Sequence, residues 1–170
     1  MTGASVEVVD QGRHLHFGFE DLLRYHGPEA PGGVAHGFVV MQLALPLLDP
    51  DGPPERREIR LDTAFPGPGA RDGIELVTRA VTEDRYVVDP ALGRPDRGTT
   101  LERYVFRFSY RDQAVRLEIR EGFVTDEFIA LSRTSGRTAE EEAHLTVLKQ
   151  EMADRLLGVP AEQVYDVVDG

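Results

Sequence analysis

Two histidines and one carboxylate lie close together in a glycine- and proline-rich stretch near the start of the chain. His26, Glu29 and His36 fall within residues 25–37, a segment that also contains four glycines. Histidine changes its charge near neutral pH, and a neighbouring carboxylate can orient the ring or stabilise its charged form. We therefore predict that His26, His36 and Glu29 are the catalytic residues of a site that transfers protons.

The residues between the two histidines predict a place for an anion. Pro31 should begin a helix, and Gly32 and Gly33 would then leave unpaired backbone N–H groups in its first turn. Such amides could hold a substrate carboxylate or a developing enolate. His36 would feel the positive end of the same helix, which favours a neutral imidazole. This set suits proton transfer next to a carbonyl, as in an isomerase, cyclase, dehydratase or decarboxylase.

Four further residues are candidates for substrate binding. Asp72 is either a site residue or the N-cap of a helix that follows it, and Arg71 beside it could clamp an anion. Tyr86 and Tyr104 are candidates for the wall of a pocket, although aromatic residues on strands belong more often to the core. Lys149, the only lysine, is expected on an exposed charged helix, which argues against a Schiff-base mechanism.

A metal site is an alternative interpretation of the same histidines. The chain has no cysteine, so the ligands would be nitrogen and oxygen atoms. One ligand set is His26, His36 and Glu29, with Asp72 as a further candidate, and the other is the pair His14 and His16. Either set would suit zinc or another divalent transition metal. Since neither has a fixed spacing motif, the main hypothesis has no cofactor.

Composition limits the class of protein. A length of 170 residues with 41% hydrophobic residues predicts one domain over residues 1–170. A net charge of −11 argues against nucleic acid or a membrane as a partner and leaves a small-molecule substrate. We expect a cytoplasmic protein, because no signal peptide is evident and no apolar run reaches the length of a membrane span. Nucleotide-binding and serine-hydrolase motifs are absent from the sequence.

The pattern of apolar residues predicts an α+β fold, an antiparallel sheet with helices packed on it. The last helix should begin with Thr138 as its N-cap and end at Gly158. We expect the other helices at 19–25, 31–48 and 72–79, and strands at 5–9, 57–65, 86–88, 104–110, 114–120 and 164–168.

Three segments carry a family resemblance. Residues 19–27 with Pro31-Gly32 and a small-residue helix form the first, residues 71–78 the second, and residues 156–167 after an acidic helix the third. Together they resemble the FmdE/FwdE-like family of formylmethanofuran dehydrogenase, which has a helix, a His-Gly-His-x-Cys-Pro-Gly loop and a second helix. The resemblance implies that fold as a single domain, and a homodimer. Pro28 and Ala30 stand where the family has its second histidine and its cysteine, and these 170 residues contain no zinc ribbon.

The sequence therefore supports three hypotheses. The first is a small soluble enzyme of specialised metabolism that uses histidine-based acid–base chemistry on a small anionic metabolite. The second is a non-catalytic dimeric binding or accessory protein. The third is a metalloprotein with a histidine–carboxylate site.

Overall fold

A hairpin and two helices form the N-terminal part of the computed structural model, which describes residues 4–168. Strand β1 (Ser5–Asp10) pairs antiparallel with β2 (Arg13–Gly18) as a separate two-stranded sheet. Helix α1 (Phe19–His26) follows β2 directly, and α2 (Pro31–Leu48) begins after a four-residue connection. The histidine-containing segment of the sequence therefore joins two helices, as its glycines and prolines predict.

The second sheet has five strands in the order β4-β3-β5-β6-β7. Its strands are β3 (Ile59–Thr63), β4 (Tyr86–Val88), β5 (Val105–Tyr110), β6 (Gln113–Ile119) and β7 (Tyr165–Val168). All neighbours are antiparallel except β3 and β4, which are parallel because helix α3 (Pro68–Thr78) crosses between them. The α+β class is thus confirmed, with one parallel pair at an edge of the expected antiparallel sheet.

Helix α2 is the centre of the core. Thirteen of its eighteen residues are buried, and it packs on α3, on the sheet and on α5 (Ala139–Leu157). By length and composition α2 could cross a membrane, so the expectation that no apolar run is long enough was wrong. However, 72% of that apolar window is buried inside the domain, as is usual for a core helix and consistent with a soluble protein.

The first turns of α2 and α3 pack directly against each other because glycine lies at their crossing. A Cβ atom added to Gly69 would lie 2.8 Å from the nitrogen of Val34 and 2.9 Å from the carbonyl oxygen of Ala30. Both neighbours are backbone atoms, which cannot move away as a flexible side chain can. Gly69 therefore allows the two helices to begin side by side, and this junction forms one end of the candidate site.

Helix boundaries differ from the predictions at two places. Helix α3 begins at Pro68 with Gly67 as its N-cap, four residues before the predicted start at 72, so Asp72 is not an N-cap. A short helix, α4 (Asp126–Ser132), was missed; it has seven residues, of which only Ile129 is buried. The Thr138 cap of α5 is confirmed, since its hydroxyl accepts a hydrogen bond from the Glu141 backbone N–H.

Candidate functional site

A cavity of about 380 Å³ lies where the first turns of α2 and α3 meet α4 and α5. Ala30 and Gly33 border it from α2, residues 67–69 from α3, and Met152 from α5. Neither helix start has a side-chain cap or an acidic residue in its first turn. The volume falls within the range of about 300–1,000 Å³ that is usual for small-molecule sites.

The side chain of His26 borders this cavity and is held by Asp72. Nδ1 of His26 lies 2.7 Å from Oδ2 of Asp72, and only 8% of the His26 side chain is exposed. An ionised carboxylate only accepts hydrogen bonds, so Nδ1–H is the donor in this pair. The neutral ring therefore keeps its lone pair on Nε2.

Nε2 of His26 is buried and has no hydrogen-bond partner among residues 4–168. Asp72 is not part of the cavity wall, whereas His26 is. Buried polar atoms almost always have partners, so an unpaired acceptor in a residue of a cavity wall is a candidate for contact with a ligand.

Local chain geometry explains how His26 and Asp72 meet. Gly27 ends α1 immediately after His26 with a φ of 95°, a conformation that other residues rarely adopt, and its N–H donates to the carbonyl oxygen of Leu23. Because α3 begins at Pro68, Asp72 lies in the second turn of that helix and not at its cap. Helices α1 and α3 pack together, which brings the carboxylate to the imidazole.

His36 lies in the core and not in the cavity wall. Its ring is fully buried, Nδ1 is 2.8 Å from the hydroxyl of Tyr165, and the ring stacks on Tyr104 with centroids 4.7 Å apart. Burial lowers the pKa of His36 to about 3, so the ring is neutral because of desolvation and not because of the helix dipole. The prediction that His26 and His36 form one catalytic pair is therefore wrong.

Glu29 borders the cavity but does not hold His26. The only contact of Glu29 among the described hydrogen bonds is through its backbone oxygen, which accepts from Nζ of Lys149 at 3.2 Å. The prediction that Glu29 orients His26 is wrong, since Asp72 does so. Of the two predicted glycines, Gly33 borders the cavity, whereas Gly32 packs against Met152.

The remaining predicted binding residues divide into one inside the cavity wall and two outside it. Tyr104 borders the cavity, and burial raises the pKa of its hydroxyl. Tyr86 lies outside the wall, and its buried hydroxyl has no partner within residues 4–168. Arg71 is also outside the wall, and its guanidinium lies 3.5 Å from Oδ1 of Asp72. Arg71 therefore touches the site only through that carboxylate.

The predicted metal-ligand sets are not assembled. Within residues 4–168 no group of three or more histidine and acidic side chains is placed to hold a metal ion. The first set fails because His36 faces Tyr165 in the core. The second lies on the exposed N-terminal hairpin, where Nδ1 of His16 is 3.0 Å from Oε1 of Glu7 and His14 is exposed.

Three cations of the cavity wall were not predicted from the sequence. They are Arg103, Arg133 and Lys149. Arg133 directly follows α4, so it could not be placed once that helix was missed. Lys149 was expected only on an exposed charged helix, whereas it is half-buried and borders the cavity. Its spacing in α5 could have indicated this, because Lys149 lies three residues before buried Met152 and thus on the same side of the helix.

The hydroxyl groups of the wall give no sign of a nucleophile activated by His26. The Ser132 hydroxyl donates to the carbonyl oxygen of Ile129 at 2.9 Å, and the Thr100 hydroxyl donates to Asp126. Neither bonds to the imidazole, which a serine-hydrolase arrangement would require. The arrangement suits proton transfer by His26 better than covalent catalysis.

No protein-family model matches the chain, and a search of curated proteins also finds no match. The resemblance to the FmdE/FwdE-like family therefore stays a prediction, as does the homodimer that it implies. What can be said of function depends on the geometry of the cavity.

Proposed function

We propose that the protein is a small acid–base enzyme in which His26 exchanges protons with a small anionic metabolite bound in the cavity. This proposal is based on the pair formed by His26 and Asp72, in which the buried Nε2 of His26 has no partner among residues 4–168, and on the position of His26 in the wall of a cavity of ligand size. An oriented imidazole with a free acceptor nitrogen is the arrangement that a general base needs.

The reaction begins when Nε2 of His26 takes a proton from a carbon next to a carbonyl group. The imidazolium that forms keeps its Nδ1–H bond to Asp72, whose negative charge stabilises it. The same Nε2–H then returns the proton to the product. Acid–base catalysis of this kind contributes about 10²- to 10⁴-fold to a rate. Isomerases, cyclases and dehydratases share this removal of a proton, whereas a decarboxylase forms its carbanion by loss of CO₂ and shares only the delivery of a proton to carbon.

The two helix starts supply the complementary positive potential. Loss of the proton places negative charge on the carbonyl oxygen of the substrate. The uncapped first turns of α2 and α3 both border the cavity, and each helix start carries about half a positive charge. Amide groups fixed in this way stabilise an oxyanion without having to reorganise during the reaction.

Access to Nε2 requires a small movement of the wall. Nε2 is covered by neighbouring atoms, so a substrate can reach it only when some of these atoms shift. Helix α4 is the element suited to such a movement, because it borders the cavity and has only one buried residue. The base would thus be exposed when a ligand enters and shielded from water otherwise.

Exchange of substrate protons in D₂O tests the proposal without knowledge of the full reaction. The probes are pyruvate, 2-oxobutanoate, phenylpyruvate and 3-oxobutanoate, with exchange at the carbon next to the carbonyl followed by proton NMR. We expect the protein to accelerate exchange of at least one probe above the buffer rate, and His26→Gln to abolish the acceleration. His14→Gln, which changes an exposed histidine far from the cavity, is the matched control. Equal rates for the protein and His26→Gln, or no acceleration with any probe, contradict the proposal.

Elemental analysis separates the metalloprotein alternative. Protein purified without an affinity tag would be analysed for transition metals, beside His26→Gln. A stoichiometric metal that is lost in His26→Gln would contradict the acid–base proposal and favour the metalloprotein.

A further inference from the structure

We infer that the ligand of this cavity is a carboxylic acid with a flat aromatic or conjugated body. The carboxylate lies at Arg103, Arg133 and Lys149, and the body lies against Tyr104 and Phe65. The placement of a reacting carbon at His26 rests on the proposed function, whereas the binding of the acid does not.

The first observation is that three basic side chains of the cavity wall have no acidic partner. Among residues 4–168, Arg103, Arg133 and Lys149 form no salt bridge with a carboxylate, although most other arginines do. Arg133 donates to the carbonyl oxygen of Thr99 at 3.4 Å, and Lys149 donates to that of Glu29 at 3.2 Å. The chain has 30 acidic and 19 basic residues, so acidic partners are abundant. Arg103 and Arg133 are exposed and Lys149 is half-buried, so water can solvate them, but three cations without an acidic partner give this cavity a positive potential that suits an anionic ligand.

The second observation is that little negative charge opposes these cations within the wall. Glu29 is the one acidic side chain among the described residues that border the cavity, and it is exposed. The uncapped starts of α2 and α3 add positive potential on the same cavity. Because the whole protein is strongly acidic, an anion that approaches it is attracted to this cavity and repelled elsewhere.

The third observation is the aromatic side of the cavity. The rings of Phe65 and Tyr104 stack with centroids 4.7 Å apart and an angle of 27° between their planes. The ring of His36 contacts the same pair, with its centroid 4.7 Å from that of Tyr104 and 6.1 Å from that of Phe65. Phe128 and Met152 border the same cavity from α4 and α5. Aromatic walls of this kind bind flat unsaturated groups, whose faces stack on the rings.

An organic anion with an apolar body fits the cavity better than a bare inorganic anion. Much of the wall is apolar, and the sequence has no glycine-rich phosphate loop of the known nucleotide-binding types. The apolar surface must therefore contact part of the ligand itself, so a bare inorganic anion would leave most of the cavity unused. A ligand with one compact charged end and an aromatic body matches both the cationic and the aromatic side chains of the wall.

Titration calorimetry with three probes tests the cationic and the aromatic parts of the wall separately. trans-Cinnamate has the ring and the charge, cinnamamide lacks the charge, and crotonate lacks the ring. We expect cinnamate to bind at least about tenfold more tightly than cinnamamide, because a charge-assisted hydrogen bond contributes that much or more. We expect a similar margin over crotonate, because crotonate cannot bury an aromatic ring against Phe65 and Tyr104. Equal affinity for cinnamate and cinnamamide, equal affinity for crotonate, or no binding of cinnamate would each overturn the inference. Tighter binding of phenyl phosphate than of cinnamate would also overturn it.

A double variant tests the assigned cations. Arg103→Gln with Arg133→Gln should weaken cinnamate binding by at least about tenfold. Arg13→Gln is the matched control, because Arg13 is an exposed arginine of the N-terminal hairpin and lies outside the cavity wall. Unchanged affinity in the double variant overturns the inference.

Lys149 provides a second measurement that needs no variant. It is the only lysine, so reductive methylation followed by peptide mass spectrometry reports its accessibility. Cinnamate should slow methylation of Lys149, and cinnamamide at the same concentration should not. Equal protection by both compounds would contradict the assigned position of the carboxylate.

These experiments separate this inference from the proposed function. If no probe exchanges protons in D₂O but cinnamate binds as expected, the acid–base proposal fails and the ligand class stands. If exchange occurs and the charge of the probe has no effect on binding, the ligand class fails and the acid–base proposal stands.

Discussion

The two histidines of the glycine-rich segment occupy opposite environments although only nine residues separate them. His26 ends α1, borders a cavity and donates through Nδ1 to an aspartate. His36 lies in the second turn of α2, is fully buried, and forms its hydrogen bond with Tyr165. Each leaves Nε2 buried without a partner within residues 4–168. One ring therefore borders a cavity and has a carboxylate partner, whereas the other is a core side chain.

The two rings differ in their hydrogen-bond partners, which are Asp72 for His26 and Tyr165 for His36. A carboxylate fixes the tautomer of His26 and can stabilise the charge that the ring acquires in a reaction. A buried tyrosine offers no compensating charge, since burial raises the pKa of Tyr165 well above its usual value. Proton transfer by His36 would place a charge in a site with no carboxylate and little solvent.

Asp72→Asn should remove most of the acid–base activity. An asparagine amide can donate to Nδ1, which would place the ring proton on Nε2 and eliminate the free lone pair. We expect proton exchange to fall by about 10²- to 10⁴-fold. Nitrogen-15 NMR of the His26 ring should show the change of tautomer directly. Asp166→Asn, which breaks an exposed ion pair with Arg120, is the control and should leave both readouts unchanged.

Acid should destabilise the protein through His36. The folded pKa of about 3 lies below the unfolded value of about 6.5, so between these limits only the unfolded chain binds the extra proton. The free energy of unfolding should therefore fall by about 1.4 kcal/mol for each pH unit below pH ~6. Above pH ~6.5 the ring is neutral in both the folded and the unfolded state, so stability no longer depends on pH through His36. Denaturant unfolding between pH 4.5 and 7.5 measures the slope.

His36→Gln isolates this contribution, because carboxylates titrate alike in both proteins. The difference in unfolding free energy between the unchanged protein and His36→Gln should become smaller as the pH falls. If this difference in unfolding free energy did not change with pH, His36 would have to be protonated in the folded protein as well. The contrast between His36 and His26 would then be lost.

Tyr165→Phe should destabilise the fold and leave the site intact. The change removes the hydroxyl that bonds to Nδ1 of His36 and leaves that buried nitrogen without a partner. We expect a loss of about 1–3 kcal/mol in unfolding free energy, with normal proton exchange by the folded protein. Tyr25→Phe deletes the same hydroxyl from a residue that is 53% exposed and should change stability little. A loss of exchange in Tyr165→Phe would indicate that His36 takes part in the reaction.

Glu29→Gln should have the smallest effect. Its carboxylate is exposed and has no hydrogen bond to His26 in the described chain. We expect the proton-exchange rate to stay within about threefold, the scale of a weak surface charge interaction. Binding of cinnamate should become slightly tighter, because one negative charge leaves the wall. A fall in rate comparable to that of Asp72→Asn would restore Glu29 as the partner of His26.

Much of the fold could be predicted from the sequence because its signals are local. The bounds of α2 at 31–48 and of β4 at 86–88 agree with the prediction, and the Thr138 cap is confirmed. Helix α4 was missed because seven residues are fewer than two helical turns and show no clear period. The start of α3 was placed too late because Asp72 was taken as a cap, although Gly67-Pro68 was the stronger signal.

The site was only partly predictable because its contacts join residues far apart in the chain. His26 was identified from its loop, but its partner is 46 residues away and was valued only as one candidate among several. His36 has its partner 129 residues away, so the hydrogen bond could not be predicted, although the apolar residues around it in α2 were a local sign of burial. The unpaired cations come from different parts of the chain and meet only in the folded protein.

Helix α4 has a practical consequence for finding the ligand. The segment around it runs between Gly122 and Gly136, both with positive φ, and the helix itself has a single buried residue. Such a segment opens locally at a small cost in free energy and is then open to trypsin after Arg133 or Arg137. Since α4 also borders the cavity, an occupied cavity should slow cleavage there. Limited proteolysis in the presence of each member of a metabolite library would therefore single out ligands before any reaction is known.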